Sequence, residues 1–206
     1  MRELIKELER ARRAVGDGEL RGQAAYVVEL RRRLRAPIAE VWDACTDPDR
    51  VCRWFLPMSG DLRPGGRFQF EGNAGGAILA CEPPSQLQVT WECGDLQPGL
   101  VTLELTPAGD DATELVLRHT VPDDDQWAQF GPGAVGVGWD MPLAVLAVLV
   151  TGAEIPTSGE FMNDPATPVL MRHSSAAWGA AHRAAGVSPD SARDAAANTS
   201  AFYAPE

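Results

Sequence analysis

The chain has 206 residues, room for one large domain or for a domain of about 150 residues with an appendage. Apolar residues make up 45% and charged residues 23%, near the averages of soluble globular chains, which excludes wholesale disorder and a fibrous repeat. The net charge of −11 divides unevenly, +4 over residues 1–35 and −15 over the remainder. A body that acidic repels phosphate, so no nucleic-acid partner is expected.

Residues 2–15 place Leu4, Ile5, Leu8, Ala11 and Val15 on one helical face, and Gly16-Asp17-Gly18 stops the pattern. The charged start has no apolar signal core, and the apolar run from Met141 to Val150 is half the length of a bilayer crossing and interrupted by Pro142. No membrane span is expected, and the chain reads as cytoplasmic. The segment from Ala24 through Leu34 is β-rich, with Tyr26, Val28, Leu30 and Leu34 on one parity and Arg32 intruding on it. Pro37 suits the first turn of a helix that carries Ile38, Val41, Trp42 and Cys45; a second short helix follows Pro48 with Val51, Trp54 and Phe55 on its apolar side.

The middle third alternates with period two. Phe68 and Phe70 face one way with Arg67 and Gln69 opposite; Leu87, Val89 and Trp91, then Val101, Leu103 and Leu105, then Leu115, Leu117 and His119 continue the inward face. Residues 76–81 form a weaker strand, and Pro/Gly/Asp turns separate the segments. These strands predict a curved antiparallel meander. Asp123-Asp124-Asp125 favours a helix start, and GVGWDMPLAVLAVLV predicts a helix apolar nearly all round, which has to be buried by the sheet. Beyond residue 159 the tail is helical: Trp178, Ala181 and Ala185 recur, Gly186 ends one helix, and Ser188-Pro189 begins another. Arg172, His173, His182, Arg183 and Arg193 read as solvated faces.

In this order, APIAEVWDACTDPDRVCRWF, DLRPGGRFQF, EPPSQLQVTWE, VTLELTPAGDDATELVLRHT and the Gly138-Trp139 pair before the greasy helix resemble the SRPBCC (START, polyketide cyclase) superfamily. The branch it is most similar to is the bacterial homologues of the activator of the heat-shock-protein-90 ATPase. The resemblance covers residues 24–152. It implies an α+β helix-grip fold, a curved antiparallel sheet wrapped around a long C-terminal helix, with a cavity between them. On this reading residues 1–20 form an N-terminal helical appendage and residues 159–206 a C-terminal helical extension packed on the body. Branches of the superfamily bind lipids or hormones, cyclise polyketides or assist chaperones, and the fold does not choose among them.

The candidate cavity residues are Trp54, Phe55, Phe68, Phe70, Trp91, Leu103, Leu117, His119, Trp139 and Leu143. His119 reads as a satisfied inward polar group, or as a cavity hydrogen-bond donor or general base. No catalytic residue is assigned. Cys45, Cys52, Cys81 and Cys93 lack metal-type spacing and read as reduced thiols, so no metal is expected. Gly131, Gly133, Gly136 and Gly138 match no phosphate loop and read as a flexible entrance to the cavity; no cofactor is expected. Arg32 is the buried-cation candidate and demands a carboxylate or an anionic ligand.

Three functions remain open, in this order: a non-catalytic binder of a small apolar molecule, an accessory protein acting through its surface on a chaperone or other protein partner, and a cyclase, dehydratase or hydrolase. The apolar stripe of the N-terminal helix favours a homodimer, while the tail helices are expected to pack on the body.

Overall fold

The computed structural model describes residues 2–155 and 158–205. Eight strands form one antiparallel sheet in the order β1-β2-β8-β7-β6-β5-β4-β3: β1 (Arg12–Leu20), β2 (Gln23–Leu34), β3 (Met58–Gly60), β4 (Arg67–Phe70), β5 (Gly75–Glu82), β6 (Gln86–Trp91), β7 (Gly99–Pro107) and β8 (Thr113–Pro122). The helices are α1 (Arg2–Arg10), α2 (Ile38–Thr46), α3 (Pro48–Val51), α4 (Asp125–Phe130), α5 (Gly133–Leu149), α6 (Ser158–Asn163), α7 (Thr167–Ala184) and α8 (Pro189–Tyr203). The sheet curves around α5, which gives the helix-grip fold.

Strand parity decides which residues meet the helix. Val28, Leu30, Arg32 and Leu34 of β2 are all buried, as are Phe68 and Phe70 of β4, Val101, Leu103 and Leu105 of β7, and Leu115, Leu117 and His119 of β8. The opposite parity forms a solvated face crossed by ion pairs, Arg118 with Glu29 and Glu104, and Arg31 with Glu114. Arg67 also points outward, to Glu92 at 2.5 Å.

The helix expected over residues 2–15 ends at Arg10, and residues 12–20 are instead strand β1. The β1–β2 connection is the two-residue turn Arg21-Gly22, both with positive φ (53° and 80°), the backbone twist that suits a tight hairpin. Helical spacing of Ala11 and Val15 hid this strand, because Gly16 and Gly18 interrupt the apolar alternation that would have shown it.

Leu4 and Leu8 of α1 are covered by Met141 and Ala144 of α5 and by Leu170 of α7. These two residues of the stripe are therefore covered within one chain, while Ile5 stays 38% exposed.

The tail is part of the core. Trp178 of α7 has no exposed surface and belongs to the main apolar cluster with Val137, Leu143 and Leu146. This packing corrects the reading of the glycine run. Gly133, Gly136 and Gly138 lie inside α5, and only Gly131 precedes it, as the C-cap of α4. A Cβ on Gly136 would sit 2.3 Å from Trp178 Cε2, so glycine there is what lets α7 close on α5. His182, expected in solvent, is also buried, set edge-on against Trp127 at 5.5 Å. Among the described residues no helix is long and apolar enough to cross a membrane.

Candidate functional site

A partly open cavity of about 260 Å³ lies at the N-terminal end of α5. It forms where β6 ends, β7 begins and β8 ends, so one wall carries Trp91, Gly99, His119 and Val121. The N-cap of α4 contributes Asp124 and the helix itself Trp127, α5 contributes Ala134, Val135, Gly138 and Trp139, and the end of α8 supplies Tyr203. The loop between β6 and β7 brings Cys93, Leu96 and Gln97 to the rim, with Leu96 half exposed.

Local rules set these elements. The Asp124 carboxylate caps α4 by accepting from the Trp127 amide at 2.9 Å, which fixes the start of the helix and aims the Trp127 indole. That ring stacks on Tyr26 of β2 with centroids 4.1 Å apart and planes 7° from parallel. The Tyr203 hydroxyl donates to the Ala134 carbonyl at 2.8 Å and so pins the tail to the first turn of α5; burial raises the phenol pKa, with the Gly138 amide working against the rise.

Of the ten cavity residues expected from the sequence, Phe55, Trp91, His119 and Trp139 line this pocket. Phe68, Phe70, Leu103, Leu117 and Leu143 are buried in the packed core behind it. Trp54 packs against that core, its indole N–H donating to the Ala44 carbonyl at 2.8 Å. The broad hollow between sheet and helix is filled by aromatic rings: Phe55 against Phe70 at 4.7 Å, Phe55 against Trp139 at 5.7 Å, and Trp91 against Trp139 at 4.8 Å. The open space is displaced toward the end of the grip. Trp127, Tyr203 and Asp124 were not among the expected residues. Asp124 belongs to the acidic helix start that the sequence does show, whereas the tail's return to α5 has no local signal.

His119 is the polar group at the base of the pocket. It is 3% exposed, and its Nδ1 accepts from the Trp139 indole N–H at 3.2 Å. Burial pushes its pKa down to about 3, so the ring is neutral at neutral pH. With Nδ1 accepting, the ring proton sits on Nε2, and the neutral imidazole presents a donor. Its one ring lone pair, on Nδ1, is engaged by the Trp139 indole and turned from the pocket's donor side, which argues against a general base. Gly99 lies directly opposite: a Cβ there would be 2.7 Å from Nε2.

One helical position past Trp139, Asp140 is fully buried on the other side of α5. Its Oδ2 accepts from Arg13 Nε at 2.8 Å, Ser174 Oγ at 2.5 Å and Trp178 Nε1 at 3.0 Å. Arg32 lies 3.9 Å from Asp140 Oδ1 and 4.0 Å from Glu7 Oε2, and donates to the Glu7 carbonyl at 2.7 Å. The buried cation thus meets carboxylates from its own chain. Burial lowers the Arg32 pKa to about 10, with Asp140 and Glu7 opposing the fall, and it stays charged at neutral pH. Among the described residues no cluster of His, Cys, Asp and Glu could hold a metal ion. Burial pushes the Cys45 thiol up to about 12, which leaves it an inert core group.

Residues 35–151 match the family model of activator of Hsp90 ATPase homolog 1-like proteins, more than half of the chain. The chain belongs to that family. It is similar to CalU16 from Micromonospora echinospora, 36% identical to the crystal structure over 83% of this chain and 97% of that one, with a TM-score of 0.70. The solution structure of CalU16 gives 35% identity over 85% and 97%, with a TM-score of 0.73. DynU16, a protein of the dynemicin biosynthetic locus, is 28% identical over 61% of this chain and 48% of its own, with a TM-score of 0.50. No curated protein matches the chain.

Proposed function

We propose that this family member binds a small, largely apolar molecule in the pocket at the N-terminal end of α5, without catalysing a reaction on it. The observation that carries this reading is the pocket itself: about 260 Å³ walled by Phe55, Trp91, Trp127, Trp139 and Tyr203, with one neutral imidazole at its base. Small-molecule sites are typically apolar clefts of about 300–1,000 Å³ with a few placed polar groups, and this one lies just under that range. The pocket's one carboxylate, Asp124, is engaged as the cap of α4, and the His119 lone pair is engaged by Trp139, so the pocket pairs no nucleophile with a free base for a cyclase or hydrolase step. The assignment of DynU16 to a biosynthetic locus suits a protein that handles a small molecule.

The test is native mass spectrometry of the protein from its own host, followed by titration with the neutral probe N-phenyl-1-naphthylamine. A co-purified small molecule and saturable quenching of tryptophan emission, lost in Trp139→Ala, are expected. No retained molecule together with no saturable quenching rejects the reading and leaves action on a protein partner through the surface as the family function to pursue.

A further inference from the structure

We infer that the pocket selects uncharged aromatic molecules bearing a hydrogen-bond acceptor, taken up by His119 Nε2, and discriminates against carboxylates such as fatty acids. The inference rests on the pocket being a ligand site. Three features on separate elements lead to it.

The first is the direction of the imidazole. Trp139 Nε1–H occupies Nδ1, so the donor is Nε2, and among the described residues no acceptor of the chain meets it. A donor open to the pocket is met by an acceptor brought by a ligand, such as a ketone, quinone or ester oxygen. The second is Gly99, which leaves Nε2 uncovered where any side chain would press on it: a Cβ would fall 2.7 Å from Nε2 and 3.2 Å from Cδ2. The third is charge. No lysine or arginine lines the pocket, and its one ionisable carboxyl is Asp124, with one oxygen committed to the α4 amide. An anionic ligand would lose water and gain no counter-charge, beside a carboxylate and in a neutral aromatic enclosure. The faces of Trp91, Trp127 and Trp139 offer flat apolar contact to a ring system.

Three naphthalenes of similar size separate these terms: 2-acetylnaphthalene, neutral with an acceptor; 2-ethylnaphthalene, neutral without one; and 2-naphthoate, anionic. Calorimetric titration of the full chain should rank them in that order, with the ketone about tenfold tighter than the hydrocarbon and the carboxylate weakest. His119→Phe should erase the ketone's advantage and leave 2-ethylnaphthalene bound. Asp124→Asn, which keeps a good helix cap, should raise naphthoate affinity several-fold and narrow the gap between the carboxylate and the ketone. The ranking on the unaltered protein stands as a test even where a variant fails to fold. Equal binding of all three, or preference for naphthoate, overturns the selectivity while leaving the pocket a ligand site. Binding of none overturns both.

Discussion

Trp139 and Asp140 are neighbours on α5 and meet opposite interiors. On the Trp139 side the buried titratable group, His119, has no ionic partner, and burial holds it neutral with a pKa near 3. On the Asp140 side two arginines share a carboxylate, and Arg32 remains charged despite equal burial because a guanidinium starts far above neutrality and falls only to about 10, with Asp140 and Glu7 at 3.9 and 4.0 Å opposing the fall. The same helix thus carries a neutral pocket wall and an ionic lock joining α1, β1, β2 and α7. Burial lowers both pKa values; the weakly basic imidazole is left neutral, while the guanidinium keeps its charge and needs the carboxylates beside it. The uncharged side has space left for a ligand, while the charged side is closed.

The ionic side should be the more costly to break. Asp140→Ala leaves Arg13 and Arg32 buried without their carboxylate, at a cost of about 3–5 kcal/mol. For a chain of this length that lowers Tm by about 10 °C in a thermal melt followed by circular dichroism. A loss below about 1 kcal/mol would show that water, and not Asp140, balances the arginines.

Next comes the helix contact beneath both. An alanine in place of glycine inside a helix ordinarily gains about 1 kcal/mol. At Gly136 the new Cβ would lie 2.3 Å from the Trp178 ring, which is fully buried and cannot swing away. Gly136→Ala is therefore expected to destabilise by about 1–3 kcal/mol in urea melts, and a stabilised variant would mean that α7 is not seated tightly on α5.

The neutral side sharpens the comparison through pH. His119 has a folded pKa of about 3 against an ordinary 6.5, so between those values the unfolded chain takes a proton that the folded chain refuses. Stability contributed by the neutral ring is full above pH 6.5 and is lost as pH falls toward 3, at up to roughly 1.4 kcal/mol per unit. His182, its pKa also lowered by burial, adds in the same direction. Between pH 6.5 and 5, above the carboxylate range, His119→Phe should flatten the slope of stability against pH measured by urea melts. An unchanged slope would place the titration elsewhere.

The smallest effect belongs to an exposed pair that shares neither environment. Arg67→Ser removes the ion pair with Glu92 on the outer face and should leave Tm unchanged within error. A clear drop there would blur the distinction between buried and exposed charge.

Much of the sheet was legible from residue order. The alternations at Phe68/Phe70, Val101/Leu103/Leu105 and Leu115/Leu117/His119 assigned the inward face correctly, and Arg32 on an inward parity called for a carboxylate or an anionic ligand. Asp140 was the partner, yet it stands in a run so apolar that the carboxylate passed as an interruption. β1 was read as helix because two alanine-sized and valine-sized positions fell at helical spacing, while its real signal, the Arg21-Gly22 turn, is two residues long.

What the sequence by itself determined is periodic: which strand residues face inward, where capped helices such as α4 and α8 begin, and that α5 must be enclosed. These follow from the two-residue and 3.6-residue repeats and from local capping, which need no knowledge of distant chain. Only the tertiary structure decided that Trp178 fills the core beside Gly136, that Arg13 and Arg32 converge on Asp140, and that the aromatic rings close the middle of the grip and leave the open pocket at its end. Those outcomes depend on which side chains, tens of residues apart, compete for the same volume, and packing density settles that competition without leaving a local mark.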